Sequence, residues 1–538
     1  MKTCLVPLSA LAESVRSVVV PRVKALSAAA CALAASASLA EMEPASPESQ
    51  GMDSQAILDW IDACERTFDG AKEGRIHGFV IVRHGKTVAE GSWKPFDTLN
   101  EPHMLYSHSK SFTSSAVGFL VDEGKLDLDE RIVDIFPESL PENPSDNLRQ
   151  LRVRDLLTMN VGKKDHLLRG GDDWVKEFLS KDFSRKPGTG FRYDSDATYM
   201  LAAIVERRTG KKLMDFLKER MFDKIGITSA WSTTSPQGIA CGGWGMNMTT
   251  RDIARFGQLY LQNGKWGDSY VLTPFWTALA TARHTWSGWQ NIGVRALGEG
   301  SDWEQGYGFQ FWRCSHGAYR ADGAAGQYTV VVPEKDMVVS VHAGLHNMGS
   351  ELALIWEHLL PGAKEEPLPE GEAFERLGKR LAGLAIPPTA GGAAGLENFL
   401  GKTYEFRKNH RGIASVRFEK DGDGLFCVLK VPAGEQRIPV GVGEWKKGEM
   451  RFDVQDYEFL GAYIGVHRTA ASAGSDGNGG FKARIYLTGD TGFIDVAVSS
   501  DGRASGYFFA MNGTKLEAAP AQAAQGAEPA GAESPRAM

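Results

Sequence analysis

Apolar residues recur along this chain with two different periods, and the switches between them mark out its parts. From 52 to 70, Ile57, Leu58, Trp60, Ile61, Cys64 and Phe68 fall on one stripe of an amphipathic helix. His77–Arg83 then reads as a strand, His84-Gly85-Lys86 as a tight turn, and Thr87–Glu90 as the returning strand. After Tyr106 the helical period comes back. Phe112, Ala116, Phe119 and Leu120 share a face, and Gly124 stands where a C-cap belongs. Short helices are predicted over Val153–Met159, stopped by Gly162, and over Trp174–Leu179. Longer ones follow over Ala197–Thr209, stopped by Gly210, over Met214–Asp223, and from Thr249 to Gly264. Period two resumes at Tyr307–Trp312, Gln327–Val332 and Met337–Val341, the last two flanking the turn Pro333–Asp336. Strands on either side of a helical middle predict an α+β domain whose sheet joins N- and C-terminal strands.

Past residue 362 the texture changes. Residues 363–397 carry Pro367, Pro369, Pro387 and Pro388 and read as a linker interrupted by one amphipathic helix, Phe374–Leu384. Residues 398–518 read as an all-β barrel or sandwich. Its alternating runs include Ala414–Phe418, Leu425–Val431, Met450–Val454, Lys482–Leu487, Phe493–Val498 and Ser505–Ala510, with Ala471–Gly480 as a polar loop insertion. Residues 519–538, rich in Ala, Gly, Pro and Glu, read as a disordered tail. No internal repeat is visible.

Composition narrows the function classes. Hydrophobic residues at 42% and charged residues at 24% are ordinary for a globular protein, and the length allows about two to four domains. The formal net charge is −7 with Lys and Arg scattered, so there is no basic stripe for nucleic acid. The six cysteines form no C-x-x-C pair, and no H-E-x-x-H or other clustered ligand set appears, so neither a metal nor a cofactor is expected. At the N-terminus, Arg16, Arg22 and Lys24 precede an apolar, alanine-rich run from Ala25 to Ala40 that ends Ser38-Leu39-Ala40. Residues 1–40 therefore read as a signal peptide, placing the mature domain (41–362) in the periplasm or outside the cell with no integral membrane segment. If they are instead a misassigned start or a disordered extension, the protein is cytoplasmic.

The candidate chemistry begins at Tyr106-Ser107-His108-Ser109-Lys110, which holds the only S-x-x-K spacing in the chain. A helix begun at Ser107 brings Lys110 to the same face one turn on. A serine hydroxyl is a weak nucleophile unless a base lies within hydrogen-bond reach, and a lysine held deprotonated can be that base. On its own the tetrad reads as an ordinary N-cap serine with a solvated lysine in the first turn. His108, between the two, is read as packed or exposed rather than as a triad base. G-x-S-x-G is absent, which removes the α/β-hydrolase elbow.

Five segments in order resemble the serine β-lactamase and penicillin-binding-protein-like superfamily. Its nearest parts are the class C β-lactamase-related esterases, D-alanyl peptidases and amide hydrolases of the 6-aminohexanoate-dimer hydrolase type. The segments are Tyr106–Thr113, Asp155–Thr158, Pro187–Tyr193 with Tyr199–Gly210, Gly242–Gly245 with Thr250–Phe256, and Gly323–Pro333. The resemblance runs from about Pro47 to Leu360 and implies a β-lactamase-like domain, an antiparallel sheet with a helical domain. It implies that Ser107 is the acyl-forming nucleophile, that Lys110 activates it, and that Tyr193 serves as phenolate or hydrogen-bond relay. It also implies an oxyanion hole from the Ser107 and Ala324 amides, with Gly323 and Gly326 letting backbone approach substrate.

Two positions depart from the family pattern. Ser195 stands where the Y-x-N asparagine would be, and Ala321-Asp322-Gly323 where β-lactam-active members carry Lys-Thr-Gly. An aspartate there repels a substrate carboxylate. Arg320 and His316 lie close in sequence and are read as solvated surface residues. The expectation is a serine hydrolase acting on a small neutral or cationic ester or amide. The alternatives are a β-lactamase or D-alanyl-D-alanine carboxypeptidase, and a non-catalytic binding module on the same fold. Trp174, Trp244 and Trp303 are read as core.

Overall fold

The computed structural model describes residues 42–68, 74–164, 171–288, 300–453, 465–509 and 513–519. The signal reading of 1–40 and the tail reading from 520 onward lie outside them. Residues Gly74–Arg83 (β1), Lys86–Ser92 (β2), Trp312–Arg313 (β3), Tyr319–Gly323 (β4), Gln327–Val332 (β5) and Met337–Leu345 (β6) form one sheet, ordered β2-β1-β6-β5-β4-β3. Every neighbouring pair is antiparallel. The N-terminal strand β1 lies against β6, with Phe79 opposite Val341, so the sheet does join the two ends of the domain.

Alternation along these strands feeds two cores. Val80 and Val82 of β1 face one core with Val331 and Val338, whereas Phe79 and Ile81 face the other with Val330, Val339 and Val341. A sheet covered on both faces explains the nearly unbroken apolar runs. The first core is built from helices Ser109–Asp122 (α2), Ser195–Thr209 (α3) and Thr250–Leu261 (α4), and the second from Ser54–Thr67 (α1) and the helical turns after β6. Caps set the helix ends: Asp53 accepts from the Gln55 amide, Asp194 from Asp196, and Thr249 from Asp252.

α2 is buried on every side from Ser109 to Leu120 rather than on one stripe. Its serines point into protein and fasten the 307–311 segment: Ser111 donates to the Gln310 carbonyl (2.7 Å) and Ser114 to that of Phe309 (2.7 Å). With those carbonyls taken and Gln310 at φ +67°, the segment cannot extend. It doubles back so that Tyr307 bridges Trp312, and the strand expected over 307–312 is a tight loop leading into β3.

Ten further strands make a half-barrel sheet: Thr403–Glu405 (β7), Ser415–Asp421 (β8), Gly424–Val431 (β9), Gly434–Val442 (β10), Lys446–Arg451 (β11), Val466–Ser475 (β12), Phe481–Leu487 (β13), Phe493–Val498 (β14), Ala504–Phe509 (β15) and Thr514–Glu517 (β16). The order is β7-β8-β9-β10-β12-β13-β14-β15-β16, with β11 paired on β12. The α+β class with a C-terminal all-β part is thus as expected. The loop insertion expected over Ala471–Gly480 is corrected: Ala471–Ser475 belong to β12, paired with Phe481–Ile485, and only the turn that follows is loop. Its buried alanines carry no β-branched signal, yet Ala471 and Ala473 sit in the half-barrel's own core, with Phe418, Cys427 and Ile485. Between the sheets, Ala385 bridges Lys94 and the Thr389 amide donates to Ser472 Oγ (2.8 Å), which ties the 363–397 stretch to both.

Candidate active site

Ser107 lies in the single 3-10 turn Tyr106–His108 that runs into α2, so Lys110 follows within the first α-helical turn. The loop before it is held by the Leu105 amide on the Met246 carbonyl (2.8 Å) and by Ser109 Oγ on the Tyr106 carbonyl (2.7 Å). Lys110 is buried, and its Nζ reaches three oxygens: Ser107 Oγ at 2.9 Å, Ser195 Oγ at 2.9 Å and the Gly243 carbonyl at 2.6 Å. Burial draws this amine down to about 7, against the upward pull of Asp194, Asp322 and Asp196. A neutral amine has two N–H donors and one lone pair. Only the Gly243 carbonyl has to accept an N–H from the amine, so the lone pair is free to face either hydroxyl.

Each partner arrives for a local reason. α3 starts at Ser195, two residues earlier than its apolar pattern predicts, because Asp194 caps it. That start turns Ser195 toward Lys110, where it takes the hydrogen bond at the Y-x-N asparagine position. Gly243 reaches Lys110 because Gly242 and Gly243 lie on α3 without side chains. A Cβ at Gly243 would stand 2.6 Å from the Ser195 carbonyl oxygen, and one at Gly242 2.7 Å from Ala202 Cβ. The contribution of Gly243 was not foreseen from the sequence. Its signal was the Gly-Gly-Trp-Gly run itself.

Tyr193 lays its ring under Lys110, with Nζ 4.8 Å from the centroid, and stacks on Trp312 at 5.5 Å. Burial raises its phenol well above the ordinary tyrosine value, although hydrogen bonding to Ser107 and Trp312 opposes the rise. The phenol therefore keeps its proton, and the group that deprotonates near neutrality is the Lys110 amine.

Gly323 ends β4 against this loop: a Cβ there would stand 2.1 Å from the Leu105 carbonyl oxygen. Ala324 follows, half-buried, and Ala325 (φ +61°) and Gly326 (φ +88°) complete the turn into β5. A Cβ on Gly326 would meet the Glu351 carboxyl at 2.3 Å. Both glycines are thus required by protein packed against protein, a reason different from the expected approach of substrate.

Asp322 on β4 is buried and paired with Arg320 at 2.8 Å. Arg320, expected at the surface, is instead fully buried. It lies over Trp303 at 4.6 Å, and its Nη1 donates to the Asp302 carbonyl at 3.0 Å. A guanidinium needs such partners to be buried at all. His316 is exposed, as expected. His108 is packed, stacked 5.7 Å from Phe112, and burial lowers its imidazole to about 3, which removes it as a base. Trp174 stacks on Trp244 at 6.0 Å.

Lys163 belongs to the site without any mark in the sequence around it. It is buried and ion-paired with Asp194 (3.3 Å) and Asp196; burial pulls its pKa down, and the two carboxylates together outweigh that and raise it. It shields Lys110 from the same two carboxylates. Lys163→Met is expected to destabilise the fold by about 3–5 kcal/mol, since two buried carboxylates lose their cation. It should also raise the Lys110 pKa, so the acid limb of a kcat/KM–pH profile moves to higher pH. Thermal melts and that profile check the two effects.

Among the described residues, no group of three or more His, Cys, Asp or Glu is placed to hold a metal ion, and no helix is long and apolar enough to cross a membrane.

Comparisons with known proteins fall on this region. The family model described as Beta-lactamase matches residues 61–356, more than half of the chain. The chain is 26% identical over 326 residues to the 6-aminohexanoate-dimer hydrolase of Paenarthrobacter ureafaciens, covering 56% of this chain and 80% of that enzyme. It is 29% identical over 172 residues to the lovastatin esterase of Penicillium rubens, covering 27% of this chain and 43% of that one. The structure of an octameric penicillin-binding protein homologue from Pyrococcus abyssi aligns over 86% of this chain and 99% of that one at 16% identity, with a TM-score of 0.44.

Proposed function

The chain belongs to the β-lactamase family, and from that premise we propose that it is a serine hydrolase that cleaves a small ester or amide through an acyl-enzyme on Ser107. The observation that carries this reading is Lys110 Nζ lying 2.9 Å from Ser107 Oγ with its pKa drawn to about 7. Neutral Lys110 takes the Ser107 proton as Oγ attacks the substrate carbonyl. The Ser107 and Ala324 amides receive the oxyanion, at the point where β4 closes on the serine loop. The lysine proton then passes to the leaving alkoxide or amine, with the protonated Tyr193 as relay, and the acyl-enzyme forms. Water activated by the same amine releases the acid and restores Ser107.

Charge around the site argues for the substrate class. Asp194, Asp196 and Asp322 stand against Lys163 and Arg320, formally three carboxylates to two cations besides Lys110. Arg320 is locked on Asp322 and cannot swing to a substrate carboxylate. Neutral and cationic substrates fit this balance, and β-lactams, which carry a carboxylate, do not. The intact Ser107–Lys110–Ser195 contacts argue against a non-catalytic module. Residues 1–40 fit an export signal, and Glu41 as the first residue of the exported protein would support that.

Turnover of matched p-nitrophenyl esters, one uncharged, one bearing an ammonium and one a carboxylate, tests the reading beside nitrocefin. The expected result is kcat/KM at least about ten-fold higher for the first two than for the carboxylate, a difference of about 1.4 kcal/mol, with nitrocefin slow. Fast nitrocefin turnover would make the protein a β-lactamase instead.

A further inference from the structure

The residue before the nucleophile is held by the other sheet. Tyr106 has φ +48°, the left-handed region that a bulky side chain rarely adopts, and it is not a glycine. A conformation of that kind persists only where the surroundings fix it. Here its side chain is buried and its hydroxyl donates to Asp490 Oδ1 at 2.8 Å, with Thr491 Oγ1 at 3.3 Å. Asp490 and Thr491 sit in the turn between β13 and β14 of the half-barrel, far from Tyr106 in sequence, and both are buried.

That turn is itself rigid. The Thr491 amide donates to Asp490 Oδ1 (2.6 Å), the Asp490 amide to the Leu487 carbonyl (2.9 Å), and the Leu487 amide to the Gly492 carbonyl (2.9 Å). It is also seated on the catalytic sheet's side. The Met104 amide donates to the Gly489 carbonyl (2.9 Å), and Arg468 of β12 donates to the Pro102 carbonyl (2.6 Å). A Cβ on Gly344 of β6 would stand 2.5 Å from the Thr491 carbonyl oxygen, so the turn presses directly on the sheet. The serine loop is thus gripped on one side by Met246 and Gly323 and on the other by this turn.

We propose that Asp490 is a positioning residue for the nucleophile: through the Tyr106 hydroxyl it holds the left-handed backbone that aims Ser107 Oγ at Lys110 Nζ. The half-barrel sheet is then a working part of the active site. The inference rests on the serine-hydrolase reading above. Misplacement of a reacting atom by about 1 Å costs on the order of a hundred-fold in rate, so losing this hold lowers kcat and leaves KM nearly alone.

The test uses the full chain and four variants: Tyr106→Phe, which removes one oxygen, Asp490→Ala, Asp490→Asn, which keeps the Oδ1 acceptor, and the double variant Tyr106→Phe/Asp490→Ala. With a p-nitrophenyl ester and a fluorophosphonate probe, Tyr106→Phe and Asp490→Ala are expected to lose about 10- to 100-fold in kcat and labelling rate. KM should stay within about three-fold, the pH midpoint should not move, and Asp490→Asn should keep most of the wild-type rate. The double variant should be no slower than the worse single one. Wild-type kcat in Tyr106→Phe, a rate in Asp490→Asn as low as in Asp490→Ala, or additive losses would overturn the inference. If Asp490→Ala does not fold, Tyr106→Phe and Asp490→Asn decide it. A wild-type protein that neither labels nor turns over ester would overturn the hydrolase reading beneath, a result distinct from active variants.

Discussion

Lys110→Met is expected to lower kcat/KM for a p-nitrophenyl ester by about a thousand-fold, within the range a positioned general base supplies. The side chain keeps its reach as far as Cε, with sulfur in place of Cδ, and loses the amine. Ser107 then has no base in contact, since Tyr193 keeps its proton and His108 is sealed in the core. The pH dependence should change with it. Protonated Lys110 cannot accept the serine proton, so wild-type kcat/KM rises with pH through a midpoint near 7 as the amine becomes neutral. In Lys110→Met that limb should vanish, leaving a flat residual rate that increases only with hydroxide. Circular dichroism separates this from misfolding, because Ser195 Oγ and the Gly243 carbonyl lose their partner as well. A wild-type midpoint near the ordinary lysine value would mean that burial does not hold the amine neutral near pH 7.

Ser107→Ala is expected to cost more, about 10⁴-fold or greater in kcat, because no other group can carry the acyl chain. Substrate affinity should be nearly unchanged, since the hydroxyl reacts rather than holds. Stability should hold too: one oxygen is lost from a residue whose backbone is fixed by Leu105, Ser109 and Tyr106. Residual activity of more than about one part in a hundred would point to a second nucleophile, far above what binding and an oxyanion hole supply unaided.

What could be read from the sequence was local. The S-x-x-K spacing placed Ser107 and Lys110 on one turn, Gly210 ends α3 as expected, and alternation gave β5 and β6 and the turn between them, whereas α4 ends at Leu261, short of Gly264, because Asn263 already takes the left-handed turn (φ +54°). What was missed depends on partners distant in sequence. Lys163 carries no mark in the sequence, because nothing near it shows that Asp194 and Asp196 will close over it. Tyr307–Trp312 alternates like a strand, yet the serines of α2 claim its carbonyls. Arg320 looked like a surface residue until Asp322, Trp303 and the Asp302 carbonyl enclosed it. The alanines of β12 carry almost no strand signal of their own and gain it from pairing with β13. Tyr106 gave no sign of its left-handed backbone, since the aspartate that receives its hydroxyl lies in another sheet.

Peptide mapping of a fluorophosphonate adduct across pH asks whether Ser107 is acylated with neutral Lys110 as its base. One adduct is expected, on the peptide containing Ser107, forming at a rate that rises to a plateau with a midpoint near pH 7. An adduct on another residue, no adduct at any pH, or a rate still climbing steeply past pH 9 would contradict it.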